Sequence, residues 1–302
     1  MLIQLPNALG DAATNMAIDA ALLETIPEGL AIFRHYAWLE PAATFGYALA
    51  HAQVVSELTA GTHSSAPPHT ALIRRLTGGG IVDHRNDWTY ALALDRSLPC
   101  TRQPATQLYR QLHQAISQTL TALGITNQLA PCPKACQPTN PNSPPPHPAS
   151  CIPHPASPIL EDPPKLVERR GAHPASPTPP PASRVPRPAS RIPHPEPRIP
   201  HPASHCFRSP AADDVLRPDG RKIAGAAMKR SRRSLLIQGS IDRGALPETL
   251  DLGTFQAHVL TKFAQVFDLK TGQLEDIRPL FDSKRIQHEK ERFASPAWNQ
   301  RR

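Results

Sequence analysis

The sequence predicts an α+β domain, mixed sheets flanked by helices, interrupted by a long proline-rich insertion. Three observations predict it. Short β-branched or aromatic runs bounded by Pro, Gly or Asn follow one another instead of alternating strictly with helices. Segments of helical period stand before and between those runs. The prolines, 37 in 302 residues against 8 Phe, 3 Trp and 4 Tyr, crowd between about Pro131 and Ser204, so the packed part is shorter than the chain.

The elements follow in order. Asn15 to Thr25 carries Met16, Ala17, Ala20, Ala21 and Leu23 at helical spacing, with Thr14 as its expected N-cap. LAIFRHY (30–36), ATFGYAL (43–49), ALIRRL (71–76) and WTYALAL (88–94) read as strands. Tyr109 to Ile125 puts Leu112, Ala115, Ile116, Leu120 and Leu123 on one helical face and closes at Gly124. Past the prolines, RKIAGAA (221–227) and SLLIQGSI (234–241) read as two more strands, with a helix over about Thr254 to Phe267.

Residues 132–204 form the insertion, with near repeats such as PHPAS at 146–150 and 153–157 and IPHPAS at 199–204. So little apolar surface cannot offset the entropy of ordering, and the segment reads as polyproline II or coil. It is either a tolerated surface loop or a proline-rich ligand for a partner's groove. Residues 1–131 and 205–302 make one domain around it.

The formal charge is +8, but the stretch between Cys132 and Cys206 holds eight Lys/Arg against four Asp/Glu and so carries half of it. Much of the rest lies in RKIAGAAMKRSRR (221–233), a basic patch suited to phosphate or an acidic protein. No base-stacking aromatics interleave it, which argues against nucleic acid. The start lacks a basic head with an apolar run, and no stretch approaches about 18 apolar residues, so no membrane partner and a cytoplasmic location are expected. Five cysteines without framework spacing argue against disulfides, and Cys132 with Cys136 lacks a second ligand pair, so no metal is expected.

The stretch RRLTGGGIVDH (74–84) carries the chemistry. It has neither the GK[ST] ending of a P-loop nor a GxGxxG turn. Three glycines after a strand let a ligand lie against bare peptide N–H groups, with Arg74 and Arg75 as forked cationic donors beside it; the same glycines also suit a tight turn.

RRLTGGGIVDH resembles the RRxxGGGxVxH signature of the biotin/lipoate protein ligase and octanoyltransferase superfamily. NMAIDAALL (15–23), PAATFGYA (41–48), DGRKIAGAA (219–227) and the closing HEKERFASPAWNQRR (288–302) follow in that family's order. Where the family often has Gln shortly after FGY, this chain has Ala48, Leu49 and Ala50. The resemblance implies a biotin/lipoyl protein ligase-like catalytic domain that attaches lipoyl or octanoyl groups to a lysine of a lipoyl domain of 2-oxoacid dehydrogenases or of the glycine cleavage H protein.

Two chemistries are open within it. Lys222, in GRKIAG, matches the superfamily's hallmark lysine; the resemblance implies that it faces the acyl carbonyl or an adenylate phosphate, where it would activate the carbonyl or accept the proton of the target amine. HCFRSPAADDVLRPDGRKIAG (205–225) is similar to the corresponding run of cysteine-dependent octanoyltransferases, with Cys206 and Phe207 at the matching place. Cys206 would then take the acyl group from octanoyl acyl carrier protein by a near-neutral thioester exchange needing no cofactor. Arg75, Thr77, Gly78, Gly79, Gly80, Ile81, His84 and Gly225 would line the acyl and pantetheine slot. The basic stretch Lys229 to Arg233 would meet the acidic carrier. The alternatives are an ATP-dependent lipoate-protein ligase, which would use ATP and Mg²⁺, and a non-catalytic acyl-carrier binding protein.

Overall fold

The computed structural model describes residues 1–60, 70–131, 210–274 and 276–301. The proline-rich insertion and Cys132, Cys136, Cys151 and Cys206 lie outside the described residues.

Twelve strands make two sheets among the described residues. The larger is built on β3 (Ala31–Trp38), β7 (Asp87–Asp95), β11 (Ser234–Asp242) and β10 (Lys222–Arg230), adjacent in that order and antiparallel. β9 (Val215–Leu216) and β8 (Gln128–Leu129) extend it beyond β10; β1 (Leu2–Gln4), β2 (Ala8–Gly10) and β12 (Thr271–Gly272) complete the other side. The smaller sheet has β4 (Ala42–Phe45) between β5 (Ala71–Arg74) and β6 (Ile81–Asp83).

WTYALAL has no alternation of apolar and polar residues because β7 is covered on both faces. Trp88, Tyr90, Leu92 and Leu94 pack against α3 (Ala105–Ala122) and α4 (Leu252–Val266) through Leu108, Leu112, Ile116, Phe255, Val259 and Phe263. Ala91 and Ala93 point the other way, toward Met16, Ala17 and Ala20 of α1 (Ala12–Thr25). Small residues on both partners let that helix lie close to the sheet. Among the described residues no helix is long and apolar enough to cross a membrane.

The N-cap of α1 is Asp11, not Thr14: its carboxylate accepts from Thr14 N at 2.8 Å, and the Thr14 hydroxyl donates to Asp11 Oδ2 at 2.8 Å. Thr14 therefore sits inside the first turn as the cap's donor. Helix α3 begins four residues before Tyr109 and closes as expected, with Gly124 at φ +78°. Strand β4 ends at Phe45, short of the expected residue 49, because the chain turns at Gly46 under the glycine loop. The closing segment folds as α5 (Ser283–Ala294) and α6 (Pro296–Asn299), after a further helix α2 (His51–Ala60) earlier in the chain. Neither α2 nor α5 was legible from periodicity; α5 buries little besides Glu289 and Phe293.

Candidate functional site

The two glycine-bearing motifs are halves of one contact. A Cβ on Gly46 would lie 1.9 Å from Gly79 O, so only glycine lets the FGY turn pass beneath the loop 78–80. Tyr47 N donates to Thr77 O at 2.9 Å and Gly46 N to Gly80 O at 3.2 Å. Gly79 itself adopts φ +88°, the left-handed region that glycine enters without a steric penalty.

Above that loop lies a slot of about 480 Å³, open mouth included, between Gly79 and Val82 on one side and Gly225, Ala226 and Ala227 of β10 on the other. Met16, Tyr36 and Trp38 form apolar walls. Its polar neighbours are largely committed to one another: Arg75 donates to Thr44 Oγ1 at 2.7 Å, Gly78 O at 2.8 Å and Gly80 O at 3.0 Å. Thr44 Oγ1 is 2.8 Å from His84 Nε2, and His84 Nδ1 is 2.7 Å from Asp87 Oδ2. The His84 ring stacks on Trp38 at 4.1 Å. A chain of hydrogen bonds thus runs from a buried carboxylate to the carbonyls of the glycine loop, and it braces the loop from below.

Of the residues singled out by sequence, Arg75, Gly79, His84 and Gly225 line the slot. Gly78 and Gly80 contribute carbonyls to Arg75. Thr77 reaches the slot only through Gln238, to whose Oε1 its hydroxyl donates at 2.7 Å. Ile81 turns away into a small cluster with Phe45 and Val54, and its neighbour Val82 faces the slot instead, as the two-residue period of a strand requires. Arg74 is not a ligand-facing donor: it is buried, and its guanidinium donates to Tyr47 O, Leu49 O, Trp298 O, Asn299 O and Arg301 O.

Lys222 is 5 % exposed and adjoins the slot through Gly225. A Cβ on Gly225 would meet Lys222 Cε at 2.4 Å and Nζ at 2.5 Å, so the lysine lies directly across the glycine three residues on. Its Nζ is 2.8 Å from Asp214 Oδ2. Sequence reading missed Asp214 and its partner Tyr109, whose hydroxyl donates to Asp214 Oδ1 at 2.6 Å. The available signal was Tyr109 and His113 one turn apart beside the apolar face of α3.

His113 is fully buried, and among the described residues neither of its ring nitrogens has a hydrogen-bond partner. Burial, with Lys222 nearby adding to it and Asp214 opposing it, pushes the His113 pKa down to about 4. In the unfolded chain the ring titrates near 6.5, so the fold excludes a proton that the unfolded state binds between those values. Stability is therefore full above about pH 6.5 and falls as pH drops toward about 4, by about 3 kcal/mol from this residue alone. His113→Phe keeps the edge contact with Tyr109 and removes both orphan nitrogens. Urea unfolding is expected to show a stability gain over wild type that is larger at pH 5 than at pH 8.

No protein-family model matches the chain. It is 99 % covered by a bi-partite lipoate protein ligase from Thermoplasma acidophilum, itself 96 % covered, with TM-score 0.54 and 12 % identity. A lipoate-protein ligase A bound with ATP is similar over 99 % of this chain and 97 % of its own, with TM-score 0.55 and 13 % identity. The chain has the lipoate-protein ligase fold. Within that fold its sequence is 33 % identical over 113 residues to an octanoyltransferase LipM from Lysinibacillus sphaericus. That match takes in 37 % of this chain and spans 39 % of the relative. The lipoate-protein ligase fold thus carries, in this chain, a slot whose floor is the tri-glycine loop and whose rim holds a buried lysine.

Proposed function

We propose that the protein is an octanoyl (lipoyl) protein acyltransferase of the cytoplasm, moving the acyl group from octanoyl acyl carrier protein to a lysine of a lipoyl domain or H protein through a thioester on Cys206. The observation that carries this reading is Lys222, buried and laid across Gly225 at the rim of an apolar slot. The name octanoyltransferase LipM on a sequence relative supports it. So does Arg75, whose guanidinium bonds to the loop's own carbonyls.

The Cys206 thiolate attacks the carrier's thioester carbonyl and the carrier thiolate leaves; the acceptor lysine's amine then attacks the acyl-cysteine, the Cys206 thiolate leaves and the amine's proton is released. Arg75, Gly79 and Gly225 border the acyl chain, with Thr77 and Gly78 to Gly80 holding the loop. His84 braces it, and Ile81 backs it from the small core. Lys222 polarises the carbonyl that each attack requires. The reaction needs no cofactor. The reading to weigh against it is activation of free lipoate with ATP and Mg²⁺, since a lipoate-protein ligase A of the same fold is bound with ATP.

Purified protein given octanoyl-carrier without ATP separates the readings by intact mass. An octanoyl adduct on the protein and transfer to a lipoyl domain are expected. Transfer that starts only with ATP and free lipoate would establish the ligase, and binding without transfer a carrier-binding protein.

The slot itself is tested at Ala227, which lines it on β10 and has no strained backbone. Ala227→Leu is expected to lower octanoyl transfer roughly tenfold or more, because added methylenes compete with the acyl chain, while thermal unfolding stays close to wild type. Gly79 is a poorer choice, since valine at φ +88° would strain the backbone.

A further inference from the structure

Lys222 does not stand alone. Its ammonium meets Asp214 at 2.8 Å, and Asp214 is itself fully buried. Both oxygens of that carboxylate are engaged: Oδ1 accepts from the Tyr109 hydroxyl at 2.6 Å, and Oδ2 accepts from Ala211 N at 2.6 Å. The backbone around it is equally fixed. Asp214 O accepts from Ala130 N at 2.7 Å, Asp214 N donates to Ala211 O at 3.2 Å, and Asp213 before it takes the left-handed φ of +66° that turns the chain there. The Tyr109 ring is held edge-on by His113 at 4.2 Å, one turn along α3.

We propose that Asp214 and Tyr109 are positioning residues for Lys222: the carboxylate holds the ammonium across Gly225 at the rim of the slot, and the phenol on α3 holds the carboxylate. The inference rests on the role given to Lys222 above. A four-carbon side chain with three rotatable donors has many rotamers, and a buried ammonium without a counter-charge is strongly disfavoured. Gly225 clears the path of the side chain, Asp214 fixes where it ends, and Tyr109 removes the remaining freedom of the carboxylate. A helix 100 or more residues before the lysine thereby sets the geometry of the reacting edge.

The test pairs turnover with a readout independent of it. Transfer from octanoyl-carrier is measured for Tyr109→Phe, Asp214→Asn, Lys222→Ala and the Tyr109→Phe/Lys222→Ala double variant. Separately, Lys222 is labelled with isotopic acetic anhydride and its peptide quantified by mass spectrometry. Tyr109→Phe is expected to lower kcat by roughly tenfold with KM little changed, Asp214→Asn by more, each losing a hydrogen bond to a charged group. In the Lys222→Ala background Tyr109→Phe is expected to cost nothing further. Labelling of Lys222 is expected to rise severalfold in Tyr109→Phe and further in Asp214→Asn, because the amine loses the arrangement that keeps it paired. Tyr109→Phe removes a single oxygen from a half-buried site, so it keeps the test decisive even if Asp214→Asn fails to fold. A folded Tyr109→Phe protein with wild-type kcat and wild-type labelling would overturn the proposal. Lys222→Ala with full transfer would instead overturn the role of the lysine itself, and unchanged chemistry alongside altered labelling tells the two failures apart.

Discussion

Cys206→Ala is expected to lose both the octanoyl adduct and all transfer from octanoyl-carrier, while joint replacement of the other four cysteines leaves transfer near wild type. Lys222→Ala is expected to slow turnover by about 10² to 10⁴, the range of a single charge-stabilising or proton-handling group, while slow acylation of the thiol persists. The two variants together decide the chemistry. A ligase gives the reverse pattern: Cys206→Ala stays active with lipoate and ATP, and Lys222→Ala fails at adenylate formation. Full activity of Cys206→Ala in either assay removes the thioester mechanism.

The second large effect concerns stability. Arg34 and Asp19 are both buried and pair at 2.6 Å. Asp19 also accepts from the Tyr36 hydroxyl at 3.0 Å and from Gln238 Nε2 at 2.7 Å, while Arg34 donates to Asn15 O and Asn15 Oδ1. Asp19→Ala strands a guanidinium in the core with its neighbours unsatisfied, an arrangement that costs about 3 to 5 kcal/mol. Denaturant unfolding should show a lower midpoint at unchanged slope, the shift multiplied by the slope giving a loss of that size. Because Gln238 also accepts from Thr77, the glycine loop loses part of its anchor, and transfer should fall even at temperatures where the variant stays folded. An Asp19→Ala protein within 1 kcal/mol of wild type would show that the pair contributes little here.

The network explains which parts of the molecule sequence could reveal. Strand positions were legible in WTYALAL and SLLIQGSI because both runs are long and covered on two faces, so hydrophobicity alone marks them. The glycine loop was legible because three consecutive glycines have few uses. Asp19 was hidden: an acid within NMAIDAALL looks like one more helix residue, and its partner Arg34 lies in another element with no periodic relation to it. Asp214 was hidden for the same reason, being defined by Lys222 and Tyr109, which chain distance does not connect. Arg74 and Arg75 are adjacent and chemically identical, yet alternation along β5 and past its end sends one to the chain's closing segment and the other under the slot. Helix α5 was obscured by its composition, KRIQHEKERF being mostly charged and anchored through few apolar positions.

The destination of Arg74 has a consequence in time. Its acceptors include the carbonyls of Trp298, Asn299 and Arg301, and its own backbone N–H and C=O bond to Asn299 Oδ1 and Trp298 Nε1. During synthesis from the ribosome, β5 emerges more than 200 residues before these partners exist, a separation at which contact formation is slow. Until they arrive, a buried cation next to the glycine loop lacks most of its acceptors, and the strand that carries it has reason to stay open. The slot is therefore expected to be among the last parts of the nascent chain to close, and hydrogen exchange on ribosome-held chains that stop before Trp298 should find β5 less protected than β7 and β11.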